Sequence, residues 1–340
     1  LEVEISTLDT GEKRSALEQV REALSFAGHP HSDLDPNHVV EIQNILHSHG
    51  GQVSIALHGE DVICALPPNR PLIGLAVDVG TTKLAAYLVD LRTGAILASK
   101  GATNPQIAFG EDVLSRIKYC DDHPEGGKKL QQVLISELNT LCEELAAGVG
   151  ASPSEIVDGV FVGNTAMHHL LVGLPVHSLG TAPYHPTRLD SMTISATDIG
   201  LKISPGAKLF LPPNVAGFVG SDHLAMLLAC EAWKATKTTL AVDIGTNTEI
   251  SLVHKGRHLA CSCASGPAFE GAHIREGLRA IPGAIERLFI EPDGVKVQTI
   301  QNTPAIGICG SGILDAVAEM RRENLIDHRG AFNKTDPRLT

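Results

Sequence analysis

The chain has 340 residues, of which 43% are hydrophobic, with 33 glycines, 19 prolines and a formal net charge of −12. This length and composition predict a globular protein with at least two hydrophobic cores and many defined turns. The negative charge, together with the lack of a basic stripe interleaved with aromatic residues, argues against nucleic acid as a partner.

The sequence also argues against membrane insertion and export. No apolar run reaches the roughly 18 residues of a membrane span, and residues 1–4 lack the basic start of a signal peptide. The seven cysteines form no cluster of the kind that binds zinc or an iron–sulfur centre. Only Cys261 and Cys263 lie close together, at a spacing that fits a strand. The sequence therefore favours a cytoplasmic protein with no membrane contact.

Residues 1–66 are predicted to form a small α+β domain. Two segments with helical spacing are followed by two strand-like segments, at residues 16–26, 39–46, 53–57 and 61–66. The proline-rich run 67–71 cannot continue a helix or a central strand, so we expect it to be a linker.

The rest of the chain divides into two segments that begin alike, residues 72–235 and 236–340. Each begins with an apolar strand that ends in an aspartate, followed by a glycine-bearing turn and a second strand. The two turns are Asp78-Val79-Gly80-Thr81-Thr82-Lys83 and Asp243-Ile244-Gly245-Thr246-Asn247-Thr248. The aspartates are 243 − 78 = 165 residues apart. An internal duplication is the economical explanation.

These repeated turns suit phosphate binding. Gly80 and Gly245 let an anion approach backbone N–H groups closely, and the threonine hydroxyls add donors. A carboxylate beside a polyphosphate needs a cation between the two, so Asp78 and Asp243 predict a hydrated Mg²⁺ clamped across a cleft. One copy of the pattern is equally consistent with a simple tight hairpin. Two matched copies favour phosphate binding.

Two further glycine-containing segments are candidates for nucleotide contact. Gly163-Asn164-Thr165 lies between a predicted strand and a predicted helix, with Asn164 or Thr165 as the N-cap. Gly310-Ser311-Gly312 leads into a predicted helix at 313–320, and a glycine-rich turn at a helix N-terminus is suited to anions. The second pattern is equally consistent with close packing of the helix on a strand.

Elsewhere the sequence predicts strands and helices in mixed order. Strands are predicted at 95–100, 159–162 and 208–211 and a hairpin at 288–297, with helices at 111–119, 129–147 and 222–233. We expect residues 176–207, rich in Pro, Thr and Ser, to run extended across the surface, and the loop 264–271 to open a helix through 274–278. Adjacent residues point about 100° apart on a helix, so we interpret His168 and His169 as packing or polar-face residues.

Five segments together resemble the reductive activators of corrinoid-dependent enzymes: DVGTTKLAAYLVDL, FVGNTAMHHLLVGL, LAVDIGTNTEISL, SGPAFEGAHI and GICGSGILDAVAE. The paired hairpins alone are similar to the wider actin-like ATPase superfamily, which includes sugar kinases and heat-shock ATPases. The resemblance covers roughly residues 35–330. It implies an α/β fold in which a duplicated actin-like (ribonuclease H-like) ATPase domain follows a small α+β domain. Residues 1–66 would be the family's middle domain.

The resemblance also implies a reaction. ATP binding and hydrolysis, with closure of the two lobes, would drive the return of inactive cob(II)amide to the cob(I)amide that methyl transfer requires. The partner would be a corrinoid protein or a corrinoid-dependent methyltransferase, and a homodimer stays open. The electron would come from a two-iron two-sulfur cluster in an upstream ferredoxin-like module, because this chain lacks the cysteine spacing for one.

The family pattern assigns roles by position. Asp78 and Asp243 would be the catalytic residues and would bind Mg²⁺ through water. The nucleotide would be held by Gly80, Thr81, Thr82, Lys83, Gly163, Asn164, Thr165, Gly245, Thr246, Asn247, Gly310, Ser311 and Gly312. The family's later glycine-glycine-aromatic segment, which would cup the adenosine, is not found before Thr340. We therefore expect the second lobe to be incomplete.

The loop after the second hairpin is expected to face the corrinoid protein. Ser262, Ser265 and Gly266 would make this contact, with one of the two serines close to the cobalt. The alternative is that Phe269 fills the core and the loop only supports the hairpin.

Other functions stay open from the sequence. A small-molecule kinase of the same superfamily would need a further carboxylate as base, for which Glu249 and Glu270 are candidates. A nucleotide-dependent binding clamp would hold a corrinoid partner without turnover. An activator of oxygen-sensitive dehydratases would need cysteines at a dimer interface, and the cysteine pattern offers none convincingly.

Overall fold

The structure is a computed structural model that describes residues 2–6, 15–32, 34, 36–266 and 274–337, with residues 2–6 and 16 described by their backbone alone. The chain divides into two compact units, Leu1–Met226 and Leu227–Thr340. Of the helices in the described part of the chain, none combines the length and the apolarity needed to cross a bilayer.

A three-stranded antiparallel sheet and two helices open the first unit. These elements are β1 (Glu2–Ser6), α1 (Ala16–Phe26), α2 (Pro36–Ser48), β2 (Gln52–His58) and β3 (Asp61–Leu66), with strand order β1-β2-β3. Apolar side chains of both helices, among them Leu24 and Ile42, pack against β2 and β3. The sequence predicts both helices and the last two strands. It does not predict β1, since five residues are too few to show a period reliably.

The linker at residues 67–71 has no helix or strand, as its prolines predict. The guanidinium of Arg70 forms a bidentate ion pair with Glu155, with N···O distances of 3.0 and 3.1 Å. A shared buried cluster, which includes Leu66, Leu72 and Val157, joins the small sheet to the larger one. Residues on both sides of the linker therefore belong to the same compact unit.

A six-stranded mixed sheet forms the centre of the first unit. Its strands are β4 (Ile73–Val79), β5 (Lys83–Asp90), β6 (Ile96–Thr103), β7 (Ile156–Val162), β8 (Met192–Ser195) and β9 (Lys208–Leu211), in the order β6-β5-β4-β7-β9-β8. Strands β4, β7 and β9 run parallel, and the other three are antiparallel to their neighbours. The carboxyl ends of the parallel strands therefore meet at one edge of the sheet, where open α/β sheets bind ligands.

Four helices accompany this sheet: α3 (Val113–Asp122), α4 (Gly126–Gly148), α5 (Thr165–Val172) and α6 (Ser221–Ala229). Helix α4 buries leucines at positions 130, 134, 138, 141 and 145, spaced three or four residues apart on one face. These leucines pack in one core with the buried residues of β4 and β5. The predicted helices and strands of this segment are all present, with bounds that differ by a few residues.

The segment 176–207 differs from the extended excursion that the sequence predicts. It contains β8, which pairs with β9 and forms an edge of the central sheet, and two short 3₁₀ turns. Four half-buried or exposed residues carry too weak a pattern to predict a strand, and the surrounding prolines favour a loop.

The described residues of the second unit from 239 onward form two three-stranded sheets and the helix α7. The elements are β10 (Thr239–Ile244), β11 (Asn247–His254), β12 (Arg257–Ala264), β13 (Ala284–Glu291), β14 (Gly294–Thr299), β15 (Gly307–Ile308) and α7 (Gly310–Arg322). The strand orders are β10-β11-β12 and β14-β13-β15. The predicted hairpins at 239–253 and 288–297 are both present, and Cys261 and Cys263 lie on β12 as their spacing indicates.

The helix predicted through 274–278 is wrong for the part that the structure describes. The N–H of Leu278 donates to the carbonyl of Ile308 at 2.8 Å, and the N–H of Ile308 donates to the carbonyl of Glu276 at 2.9 Å. These backbone groups pair with β15, so they are not used in helical hydrogen bonds. The preceding loop, residues 267–271, lies outside the described residues.

Candidate functional site

The first predicted phosphate turn joins β4 to β5. Asp78 pairs with Ala85 and Val79 with Leu84, so residues 80–82 form the turn. Asp78 is exposed between two buried valines because strand side chains alternate between faces. A Cβ on Gly80 would lie 2.5 Å from the carbonyl oxygen of Lys83, which leaves room for glycine alone.

Three side chains from elsewhere in the unit hold this turn by its oxygen atoms. Asn104 Nδ2 donates to the Gly80 carbonyl at 2.8 Å, Arg116 Nη2 to the Thr81 carbonyl at 2.5 Å, and Asn164 Nδ2 to the Thr81 hydroxyl at 2.8 Å. In a trans peptide the C=O and the next N–H point in opposite directions. Fixing these carbonyls inward therefore directs the N–H groups of Thr81 and Thr82 to the other side of the turn.

The predicted Gly163-Asn164-Thr165 segment lies beside this turn because β7 is parallel to β4, with Val162 opposite Asp78. Asn164 is the N-cap of α5, where its side chain accepts the N–H of Met167 at 3.0 Å while donating to Thr81. The two neighbours of Asn164 make contacts elsewhere in the fold. A Cβ on Gly163 would lie 2.8 Å from the Val79 carbonyl, and the Thr165 hydroxyl donates to the Ala216 carbonyl at 2.6 Å. Asn164 alone of the three contacts the turn in the described structure.

The sequence does not predict the start of α6 as part of this edge. The Ser221 hydroxyl lies 3.2 Å from both the N and the O of Gly163, and a Cβ on Gly220 would lie 2.3 Å from the Cα of Asn164. Asp222 follows directly in the first turn of the helix. The available signal is a second helix start of similar sequence, Val-Gly-Ser-Asp compared with Val-Gly-Asn-Thr.

Arg116 and Asn104 are also absent from the sequence prediction. Both side chains are completely buried, which is rare for arginine. Arg116 lies on α3 between the buried residues Val113 and Ile117, at positions i, i+3 and i+4 of the helix. An arginine at a core position of a helical period is the signal that sequence reasoning can use.

The second predicted turn joins β10 to β11. Asp243 is half-buried and lies directly opposite Glu249. A Cβ on Gly245 would lie 3.2 Å from the Asn247 carbonyl, so the turn is tight but less demanding than the first. The Thr246 carbonyl accepts the N–H groups of Ser265 at 3.1 Å and Gly266 at 2.9 Å. This turn is therefore also held by its carbonyl oxygen.

The two hairpins differ opposite the aspartate. Ala85 faces Asp78 in the first hairpin, whereas Glu249 faces Asp243 in the second. Glu249 is buried and accepts a 2.8 Å hydrogen bond from the Ser262 hydroxyl. Burial raises the pKa of Glu249 above its usual range and Asp243 raises it further, whereas the bond from Ser262 opposes the shift. The second hairpin thus carries a paired carboxylate that the first lacks.

The predicted partner-contact residues lie against the second hairpin. Ser262 bonds to Glu249, the Ser265 hydroxyl donates to the Thr248 hydroxyl at 2.6 Å, and Gly266 bonds to Thr246. These bonds agree with the alternative in which the loop supports the hairpin. Phe269 and Glu270 lie outside the described residues, so their predicted roles stay predictions.

The glycine pattern in the first turn of α7 has a packing explanation. A Cβ on Gly312 would lie 2.2 Å from the Ile285 carbonyl of β13, and the Cys309 N–H donates to the same carbonyl at 3.1 Å. The helix therefore begins in direct contact with the strand, which is one of the two alternatives for Gly310-Ser311-Gly312. Nucleotide contact by Gly310 and Ser311 stays a prediction.

The adjacent histidines are buried, as the packing interpretation requires. His169 Nδ1 lies 2.7 Å from the Thr165 carbonyl, while Nε2 accepts the backbone N–H groups of Thr187 and Arg188, so the ring is neutral. Burial lowers the pKa of His168 to about 4, with smaller contributions from His169 and Arg188.

Two family models match the chain. The RACo middle region matches residues 73–235, and the C-terminal domain of RACo, the ASKHA domain, matches residues 237–340. The chain belongs to the RACo family. The ASKHA domain is the actin-like fold that the sequence predicts. The middle-region model falls on the segment predicted as the first lobe, and residues 1–66 lie outside both models.

Named relatives of this RACo family member agree with the predicted family. The chain is 35% identical over 288 residues to the corrinoid activation enzyme RamQ of Eubacterium limosum, covering 84% of this chain and 48% of RamQ. It is 23% identical over 287 residues to the [Co(II) methylated amine-specific corrinoid protein] reductase of Methanosarcina barkeri, covering 75% of this chain and 52% of that protein. The chain spans about half the length of these curated relatives.

A solved structure described as a reductive activator for corrinoid, iron-sulfur protein is similar to this RACo family chain. The two superpose with a TM-score of 0.83 at 34% sequence identity, over 98% of this chain and 55% of that one. The predicted family and the actin-like α/β fold are thereby confirmed.

The carboxylates of the two hairpins in this RACo family chain are donor groups of the type that magnesium takes in proteins. Mg²⁺ keeps several waters and takes one or two carboxylates beside substrate phosphates, a role open to the side chains of Asp78 and Asp243. Within the described ranges no three His, Cys, Asp or Glu side chains group around a metal position. Burial raises the pKa of Cys64 and Cys142 to about 12, which keeps both thiols protonated at neutral pH.

Proposed function

We propose that this chain is the nucleotide-binding part of an enzyme that uses ATP to reduce cob(II)amide on a corrinoid protein to cob(I)amide. The observation that carries the proposal is the 35% identity over 288 residues to a corrinoid activation enzyme. The geometry of the first turn, in which Asn104, Arg116 and Asn164 fix the oxygen atoms of a Gly-Thr turn, supports nucleotide binding.

The proposed nucleotide contacts come from both hairpins. Backbone N–H groups of residues 80–82 and 245–247 would bind phosphate oxygens, with Lys83 adding a positive charge at the start of β5. Asp78 and Asp243 would each accept hydrogen bonds from water molecules on Mg²⁺. Charge-assisted hydrogen bonds of this kind are stronger than neutral ones, so the turns supply affinity for the phosphates rather than for the base.

The proposed reaction adds one electron to cobalt. A low-potential one-electron donor, proposed to be a two-iron two-sulfur module outside this chain, supplies that electron. Each ~1.4 kcal/mol of differential binding shifts a one-electron couple by about 59 mV. An activator that binds the cobalt centre differently in its ATP-bound and ATP-free states can therefore make an unfavourable reduction proceed.

The proposed partner is a corrinoid protein or a corrinoid-dependent methyltransferase. The segment with Ser262, Ser265 and Gly266 is the proposed contact surface, next to the second hairpin. Because Ser262 and Ser265 bond to Glu249 and Thr248, a change at the hairpin would move the contact residues directly. Assembly as a homodimer is a further proposal.

The test uses a corrinoid protein in the cob(II)amide state, such as the methylated-amine-specific protein of the Methanosarcina barkeri relative. This chain, Mg²⁺ and a chemical one-electron reductant are added, and visible absorbance follows the formation of cob(I)amide. We expect reduction to need ATP and to fail with Asp78→Asn. Cob(I)amide formation at the same rate without ATP would contradict the proposal. ATP-dependent phosphorylation of a sugar or a carboxylic acid would favour the kinase instead.

A further inference from the structure

Arg116 has an unusual set of partners beneath the first phosphate turn. Its guanidinium is fully buried and donates to the carbonyls of Thr81 at 2.5 Å and Gly110 at 2.9 Å. The remaining contacts are the side-chain oxygen of Gln106 at 3.2 Å and the sulfur of Met167 at 3.1 Å. Every one of these four partners is neutral.

The charge of Arg116 has no ion-pair partner among the described residues. The acidic residue that affects the pKa of Arg116 is Asp112. It is the N-cap of α3, where its side chain accepts the N–H of Ser115. Burial lowers the pKa of Arg116 to about 10, with Asp112 opposing the shift, so the group is protonated at neutral pH. An isolated buried cation is unfavourable for folding unless a nearby charge compensates it.

We propose that Arg116 is a positioning residue for nucleotide binding. Its guanidinium fixes the Thr81 carbonyl and places a positive charge beneath the turn, which the negative charge of the bound phosphates compensates. This inference rests on the proposed function, since it assumes that the turn binds ATP.

The proposal follows from where the guanidinium lies. Its bond to the Thr81 carbonyl directs the N–H of Thr82 to the opposite side of the same peptide, where an anion would approach. Because the guanidinium is completely buried, its attraction to a phosphate on the turn is only weakly screened by solvent. The attraction acts on the phosphate groups that lie over the turn, so it favours ATP, which carries three of them, over AMP, which carries one.

The experiment measures affinities of this chain for MgATP and for AMP by isothermal titration calorimetry. Arg116→Met removes the positive charge and the hydrogen bonds but keeps an unbranched side chain that fills part of the same space. Lys118→Met removes one positive charge from the same helix, at an exposed position where the lysine pairs with Asp122 at 2.9 Å. We expect Arg116→Met to weaken MgATP binding on the order of tenfold, because hydrogen bonds from charged groups have that strength. AMP binding and the Lys118 control should change less than twofold.

Arg116→Lys provides a variant that keeps the charge and is less disruptive to folding. We expect it to weaken MgATP binding by about threefold, between the wild type and Arg116→Met, since a lysine cannot reproduce the fork of the guanidinium. If Arg116→Met does not fold, as judged by circular dichroism, Arg116→Lys decides the question alone.

Each outcome has a defined meaning. Unchanged MgATP affinity in the folded variants overturns the role of Arg116 and leaves the proposed function in place. An equal loss for MgATP and AMP shows that the arginine only supports the fold, which also overturns the inference. A wild-type chain that binds no MgATP overturns both the inference and the proposed function.

Discussion

The geometry of the first turn leaves room only for glycine at position 80. Its missing side chain faces the Lys83 carbonyl, at a distance of 2.5 Å from where a Cβ would be. The carbonyl oxygen belongs to the backbone and a Cβ is fixed rigidly to it, so relief requires the turn itself to move. That movement would also displace the Gly80 carbonyl from Asn104 and the N–H groups that follow.

Replacement of Gly80 by alanine should therefore weaken ATP binding strongly and destabilise the fold by about 1–3 kcal/mol, the usual cost of an overpacked site. Gly127→Ala is the matched control, because this glycine on α4 has no heavy atom within 4 Å of an added Cβ. The control should be neutral or stabilising by up to about 1 kcal/mol. Urea unfolding and calorimetric titration measure both effects, and equal behaviour of the two variants would contradict the steric argument.

Glu249 makes the stability of the second unit depend on pH. Burial and Asp243 raise the pKa of this carboxyl in the folded protein above its unfolded value of 4.5. The folded state therefore holds the proton more tightly, and the resulting stabilisation is present below the unfolded pKa. It is lost as pH rises through the folded pKa.

Glu249→Gln should remove this dependence. We expect the variant to gain stability over the wild type at pH 7.5 and to gain less at pH 4.5, because the raised pKa lets the folded wild-type carboxyl hold more of its proton at the lower pH. Glu276→Gln, at an exposed carboxyl in the same unit, should show no such difference between the two pH values. Urea unfolding at both pH values makes the comparison. A gain of equal size at both would show that titration is not the cause.

At the scale of elements, one side chain couples the first hairpin to a helix. Asn164 caps α5 through its oxygen and bonds to Thr81 through its nitrogen, so the same amide fixes a helix terminus and the phosphate turn. A serine keeps the capping function but is too short to replace the amide at Thr81. The two roles of Asn164 are therefore separable.

Asn164→Ala should lose about 1 kcal/mol of stability from the cap, whereas Asn164→Ser should retain most of it. Both variants should bind ATP less tightly. A double-mutant cycle with Thr81→Val should give a coupling energy of about 0.5–1.5 kcal/mol, the net value of a buried hydrogen bond. Thermal unfolding measures the cycle, and additive changes in Asn164→Ala and Thr81→Val would exclude coupling through this contact.

Elements with a clear period or turn pattern are predicted well from the sequence. The two Asp-Gly-Thr hairpins and the long helix α4 are examples, since their signals are local. Strands β1 and β8 are missed because they are short and exist through pairing with a neighbour. The helix expected through 274–278 is wrong because β15, some 30 residues later, takes its backbone hydrogen bonds.

Some residues of the candidate site are also predicted from the sequence, whereas others are not. Asp78, Gly80 and Asn164 are predicted because their residue types and spacing indicate the chemistry. Arg116 and Asn104 are missed because their role depends on contacts with residues 24 to 35 positions away. Such contacts follow from the tertiary fold, which a single sequence does not specify.

At the scale of the whole chain, bound nucleotide should stabilise the folded state. A ligand at 100 times its dissociation constant adds about 2.7 kcal/mol to the free energy of unfolding. We expect MgATP to raise the melting temperature of the wild type, and chelation of Mg²⁺ with EDTA to abolish most of the rise. Asp78→Asn should melt close to the wild type without ligand, because the side chain is exposed, yet gain little from MgATP.

Asp190→Asn is the control for this measurement, since it changes an exposed aspartate outside the hairpins. It should keep the full rise in melting temperature with MgATP. Differential scanning calorimetry measures the melting temperatures of the wild type and both variants with and without MgATP, and of the wild type with MgATP and EDTA. A full MgATP-dependent rise in Asp78→Asn would exclude this carboxylate as a partner of the metal.

The contrast between Ala85 and Glu249 has an evolutionary consequence. Two copies of one ancestral hairpin would begin with the same facing residue, so this position is one place at which the two hairpins differ. In the first hairpin the aspartate faces the methyl group of an alanine, and in the second it faces a carboxyl whose pKa burial raises. Ancestral reconstruction of this position would show which of the two residues the earlier hairpin carried.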